Sequence, residues 1–206
     1  TYTLRANVER LTLTGDAAIG GTGNALDNLL IGNDAGNALN GMAGADRMEG
    51  RGGNDTYTVD NARDLVVEGM NQGIDRVFSN VTYTLTANVE RLFLTGAAAI
   101  NGAGNGLANW LAGNSAANTL NGGFGADTVT GGGGNDVLIG GAGGDRFLFS
   151  GLSDGTDVVQ DFQRGADLIT IDASGFGGGL RAGALAATMI VVSSNPVATF
   201  GTAQFL

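Results

Sequence analysis

Residues 122–148 read GGFGADTVT, GGGGNDVLI and GGAGGDRFL, three nine-residue units with no insertion between them. Each unit has glycine at its first, second and fourth positions, aspartate at the sixth and an apolar residue at the eighth. The aspartates are Asp127, Asp136 and Asp145; the apolar residues are Val129, Leu138 and Phe147. Closely spaced glycines admit left-handed backbone, so the first part of each unit predicts a tight turn. The rest is a short strand of β-branched, aliphatic or aromatic residues. A turn and a strand, repeated, make a coil in which two units complete one revolution and strands stack in parallel on two sides. Asp127 and Asp145 then fall on adjacent revolutions of one edge, about 4.8 Å apart. Carboxylates at that spacing repel unless a cation lies between them. Carbonyls of the turns at Gly123, Gly125, Gly132, Gly134, Gly141 and Gly143 can supply further oxygens. An all-oxygen site of loose geometry suits Ca²⁺ better than Mg²⁺.

These units resemble the hemolysin-type, or RTX, calcium-binding nonapeptide repeat. The resemblance implies a right-handed parallel β-roll with several calcium ions between its turns, and export through a type I secretion system. The bland alternative is a glycine-rich turn array whose aspartates only form Asx turns.

Composition fits a cation binder. The net charge is −10 and the isoelectric point about 4.1, which argues against nucleic acid or an anionic membrane as partner. All ten basic residues are arginine. With no cysteine and no histidine, disulfides, thiol chemistry and the commonest general base are excluded. No apolar run reaches the ~20 residues that span a bilayer. No N-terminal signal peptide is visible, and the chain reads as an excerpt of a longer one.

The chain also repeats itself on a longer scale. Residues 1–58 and 82–139 match at 37 of 58 positions without a gap, so both halves are expected to share one architecture. The expected division is a first solenoid repeat over 1–81, a second over 82–149, and a capping region over 150–206. Nonapeptide turns are expected over 23–58 and 104–148. Within 1–22, Leu4, Val8, Leu11, Leu13 and Ile19 read as solenoid strands. At 23–40 the frame persists with Leu30 and Leu39 at its eighth positions, but Asn28 and Asn37 replace aspartate; Asn109 and Asn118 do the same in the second half. A stacked asparagine donates and accepts without charge, so these turns are expected to be free of calcium. Asp46 and Asp55 follow. Asp64 stands 18 residues after Asp46 and makes a second candidate pair. The residue 18 after Asp55 is Gly73, which leaves that site without a paired carboxylate; Asp60 lies close by and either assists or is solvated. Asp154 stands 18 residues after Asp136, across a change of pattern. Residues 59–81 are expected to carry the coil on, with strands at Leu65–Val67 and 76–78, and without regular metal sites.

After Phe149 the glycine rhythm stops. Asp157, Asp161, Phe162, Gly165, Asp167, Ile171 and Asp172 resemble the C-terminal cap of serralysin-type proteases and other type I secreted proteins. A cap would close the open end of the stack, with strands around Val158 and Val159 and over Leu168–Ile171, a short helix over 180–190, and a hairpin beginning in the last residues. Asp161 and Asp167 are open to either a cap or an ion-binding role.

No catalytic constellation stands out: there is no nucleophile elbow, zinc-protease motif or triad. The segment therefore reads as a non-enzymatic calcium-binding module of a secreted bacterial protein, extracellular or on the cell surface. Its expected partners are calcium and, during export, the secretion machinery, with self-association along the solenoid as a further mode. Two alternatives remain: a structural spacer of an adhesin, S-layer or matrix protein, and a supporting module of a secreted protease, lipase or alginate-modifying enzyme.

Overall fold

The computed structural model describes residues 1–176 and 198–200. The chain forms two compact units, Thr1–Thr95 and Gly96–Leu206, and both are all-β parallel solenoids. The helix expected over 180–190 lies outside the described residues. Among those residues no helix is long and apolar enough to cross a membrane.

The first unit contains β1 (Tyr2–Thr3), β2 (Arg10–Thr12), β3 (Gly20–Thr22), β4 (Leu29–Ile31), β5 (Ala38–Asn40), β6 (Arg47–Glu49), β7 (Thr56–Val59), β8 (Leu65–Val67), β9 (Arg76–Ser79), β10 (Tyr83–Thr84) and β11 (Arg91–Leu94). Strands β1, β3, β5, β7, β9 and β11 lie side by side in one sheet, and β2, β4, β6 and β8 in another. Every pair within these two stacks is parallel. The eighth position of each nonapeptide faces inward: Leu30, Met48, Tyr57, Val66 and Val77 are 0% exposed and Leu39 is 1% exposed. Burying one such side chain contributes about 1.5–3 kcal/mol, so these stacked columns form the hydrophobic core. Val8, expected in a strand, is exposed instead. It follows Asn7, whose left-handed backbone makes a turn there.

The second unit contains β12 (Gly102–Ala103), β13 (Trp110–Ala112), β14 (Thr119–Phe124), β15 (Thr128–Thr130), β16 (Val137–Ala142), β17 (Arg146–Phe149), β18 (Asp157–Val159), β19 (Leu168–Ile171) and β20 (Ala198–Phe200). The odd series β13 to β19 and the even series β12 to β18 again form parallel stacks around Leu111, Leu120, Val129, Leu138 and Phe147. The two strands expected beyond Phe149 are present, and they extend the stacks in register. Strand β20 pairs antiparallel with β18 and so interrupts the parallel run on that side.

Register fixes which residues meet. Most neighbours are offset by 18 residues, as in Ala38 opposite Thr56 and Arg47 opposite Leu65. The offset changes in three places. Thr56 pairs with Arg76, Val137 with Val158 and Arg146 with Leu168. Residues added between strands are absorbed in the turns, and the strands realign beyond them.

Candidate metal centres

Each sixth-position side chain reaches across to the neighbouring turn. The Asn28 N–H donates to Asp46 Oδ1 at 2.7 Å, and the Asp46 N–H donates to Asp64 Oδ1 at 3.0 Å. A second column in the same unit runs from Asn37 to Asp55 at 2.6 Å and from Asp55 to Asp75 at 2.7 Å. In the other unit, Asn109 donates to Asp127 at 2.7 Å, Asp127 to Asp145 at 2.9 Å and Asp145 to Asp167 at 3.0 Å. The last column joins Asn118 to Asp136 at 2.7 Å and Asp136 to Asp157 at 2.9 Å. One carboxylate oxygen is thus used to clamp consecutive turns together.

The other oxygen separates two kinds of turn. In asparagine turns the amide is saturated. Asn37 Oδ1 accepts the Asn33 N–H at 2.8 Å, while its Nδ2 donates to Ile19 O at 2.9 Å. Asn118 accepts from Asn114 N at 2.9 Å and donates to Ile100 O at 2.6 Å. In the aspartate turns Oδ2 of Asp46, Asp55, Asp75, Asp127, Asp136 and Asp145 is buried and accepts no hydrogen bond. The cause is the second position of the unit. It is asparagine in the neutral turns, where its N–H points at the sixth side chain. In the aspartate turns Met42, Arg51, Gly123, Gly132 and Gly141 occupy it with positive φ. There the N–H turns elsewhere: Met42 donates to Asn40 Oδ1 at 2.9 Å, and Gly141 to Asp161 Oδ2 at 2.7 Å.

The fourth-position glycines Gly125, Gly134 and Gly143 are left-handed as well. At Gly143 a Cβ would stand 1.7 Å from Gly125 O, so the stacking of turns itself demands glycine. The first-position glycine lies against the orphaned oxygen. A Cβ on Gly122 would approach Asp127 Oδ2 to 2.3 Å and Gly140 O to 2.5 Å.

Burial without a partner penalises the charged form. It pushes Asp46 up to about 6 and Asp127 up to about 6, with the Asp145 charge adding to the shift. Asp136 and Asp145 are raised by the same desolvation. Asp157 rises to about 7 through burial and the neighbouring Asp136 and Asp154 charges. An unpaired buried carboxylate costs several kcal/mol unless neutralised. The donor set is oxygen only, which fits a hard cation such as Ca²⁺.

Two expected pairings change. The neighbour of Asp136 in register is Asp157, not Asp154. Residues added after β17 displace Asp154 into a 3-10 turn, Leu152–Asp154. There its Oδ2 accepts from Ser150 N at 2.6 Å and Gly151 N at 2.9 Å. Asp55 does have a carboxylate partner, Asp75, which stands 20 residues on rather than 18. The Asp46 and Asp64 pairing keeps its 18-residue spacing. Asp64, however, ends its column, because its Oδ2 accepts from Asp60 and Asn61 N–H at 3.2 Å. Asp167 ends another, accepting from Gln163 N at 2.7 Å. Asp161 grips the Gly140 and Gly141 N–H groups at 2.9 and 2.7 Å. Sequence reasoning missed Glu68, Asp75 and the second-position asparagines. The motif Asp-x-Val at 75–77 was the available signal for Asp75.

The family model described as the RTX calcium-binding nonapeptide repeat (4 copies) matches residues 22–57 and 112–147. Those two stretches are hemolysin-type calcium-binding repeats set in β-solenoids. No curated protein matches the chain.

Proposed function

We propose that the chain is a calcium-responsive RTX module of a type I secreted protein, unfolded during export and folded by calcium outside the cell. The observation that carries this reading is the set of buried Oδ2 atoms on Asp46, Asp127, Asp136 and Asp145 that accept no hydrogen bond. These carboxylates, with carbonyls of the adjoining glycine turns, would hold the ions. Bound calcium supplies the positive charge that the repeat itself lacks. The asparagine turns at Asn28, Asn37, Asn109 and Asn118 have their amides occupied and need no ion. Residues 150–206 serve as the cap, a role to which the antiparallel β20 strand is suited.

Folding and binding are then one equilibrium. Without cation, stacked carboxylates oppose closure of the coil, and the glycine turns cost conformational entropy to order. Where calcium is scarce the chain stays extended and can thread an export channel. At roughly 10⁻⁴–10⁻³ M calcium, the range of extracellular modules, it folds. Far-ultraviolet circular dichroism in EDTA and in millimolar calcium tests this. A large gain of β signal with calcium is expected; equal β content in both solutions refutes the reading. A second reading, a structural spacer, draws on the 37 of 58 identities between residues 1–58 and 82–139. Further copies of the same repeat in the parent sequence would favour it.

A further inference from the structure

The turn between β8 and β9 departs from the nonapeptide frame. From the core residue Val66 to the next, Val77, the chain takes eleven steps where the repeat takes nine. The added length carries Glu68 inward, and it brings Asp75 rather than Gly73 opposite Asp55. Neither Glu68 nor Asp75 lies in the stretches matched by the repeat family.

Asp55, Glu68 and Asp75 are 0%, 7% and 1% exposed. They present one carboxylate oxygen each within 4.8 Å of one another. Asp55 Oδ2, Asp75 Oδ2 and Glu68 Oε2 accept no hydrogen bond. The remaining oxygens are engaged: Asp75 Oδ1 by Asp55 N at 2.7 Å, Asp55 Oδ1 by Asn37 N at 2.6 Å, and Glu68 Oε1 by the Tyr57 hydroxyl. Tyr57 rises from the core at 0% exposure and fixes the carboxylate it bonds. Gly50 closes one side. A Cβ there would lie 2.1 Å from Tyr57 Oη, 2.2 Å from Asp55 Oδ2 and 2.5 Å from Glu68 Oε1. This is a lined, water-poor cradle with three orphaned acidic oxygens converging on it.

We propose that Asp55, Glu68 and Asp75 form a dedicated cation centre, separate from the repeating turn sites, that takes Ca²⁺ first and a trivalent lanthanide more tightly still. It goes beyond the repeat-based reading. Three carboxylates converge where a repeat turn offers two, and affinity for hard cations grows with ligand charge. Tyr57, bonded directly to a ligand, also makes the centre reportable, because a tyrosine beside Tb³⁺ sensitises its emission.

The test uses the full chain titrated with Ca²⁺ by calorimetry and with Tb³⁺ by tyrosine-excited emission. Glu68→Gln is expected to weaken the tightest site by about tenfold or more. Tyr57→Phe is expected to keep that site and lose the emission that rises first. The control Asp127→Asn with Asp145→Asn is expected to lose only weaker sites. A Glu68→Gln titration identical to wild type overturns the centre. Should Glu68→Gln fail to fold in saturating calcium, Tyr57→Phe decides, and unchanged early emission overturns the centre. A control that loses nothing, beside a Glu68→Gln variant that loses the tight site, refutes the repeat-based reading and leaves this centre standing.

Discussion

Replacing Asp127 by asparagine should change stability in opposite directions with and without calcium. Asp127 is 1% exposed, and its burial, helped by the Asp145 charge, holds the carboxyl at about 6 instead of 3.8. A rise of that size corresponds to about 3 kcal/mol against the charged folded form. The sign follows from which state binds the proton better. The folded state does, so the penalty is absent below pH 3.8, grows as pH rises through about 6, and is complete at pH 8. Asparagine keeps the Oδ1 acceptor that takes the Asn109 N–H at 2.7 Å and carries no charge. In EDTA at pH 8, Asp127→Asn should therefore favour the folded chain by up to about 3 kcal/mol. At pH 3.5 the advantage should vanish, because the wild-type carboxyl is already protonated. In calcium the order should reverse, since the variant gives up one charge of the Asp127 and Asp145 pair. Circular dichroism along a trimethylamine N-oxide series, in EDTA at both pH values and again in calcium, reads all three conditions. Lower apo stability of the variant at pH 8, or an equal gain at both pH values, refutes the reasoning.

Acidification should partly replace calcium for the whole chain. Asp46, Asp75 and Asp127 are held at about 6, Asp157 at about 7 and Glu68 at about 8. In EDTA the folded fraction should thus rise as pH falls from 8 to 5, read by ellipticity. Asn118→Ala removes bonds to Asn114 N and Ile100 O. It should cost about 1–3 kcal/mol while leaving calcium stoichiometry unchanged by calorimetry. Gly143→Ala places a methyl 1.7 Å from Gly125 O at a left-handed position. It should destabilise the calcium-loaded chain by more than about 1 kcal/mol, measured by urea unfolding.

The repeat was legible because one residue per unit performs one task. Val129, Leu138 and Phe147 had to be core, and all three are 0% exposed. The Asp127 and Asp145 stacking followed from the same count, and the hydrogen bond between them spans 18 residues. Counting failed wherever a turn lengthened. Asp75, Asp157 and Asp167 sit 20, 21 and 22 residues from their partners, beyond a fixed-period search. Each is still followed, two residues later, by an apolar strand residue: Val77, Val159 and Ile169. That local signature, rather than the interval, marks the sixth position. Glu68 was invisible for another reason. It belongs to no repeat position, and only the close approach of Tyr57 draws it inward.

Strand pairing resumes after every irregular turn, and this makes the coil self-correcting. A helix that gains two residues rotates everything downstream by a fraction of a turn, and a paired sheet that gains one exposes its core face. Here an insertion is confined to the corner where it occurs. Beyond it, the next aspartate hooks the next backbone N–H and restores the phase, as Asp75 does for Asp55. The corners are therefore places where a chain of this kind can be lengthened without an error passing to the following strands, and a new side chain such as Glu68 can be introduced there without rewriting the repeat.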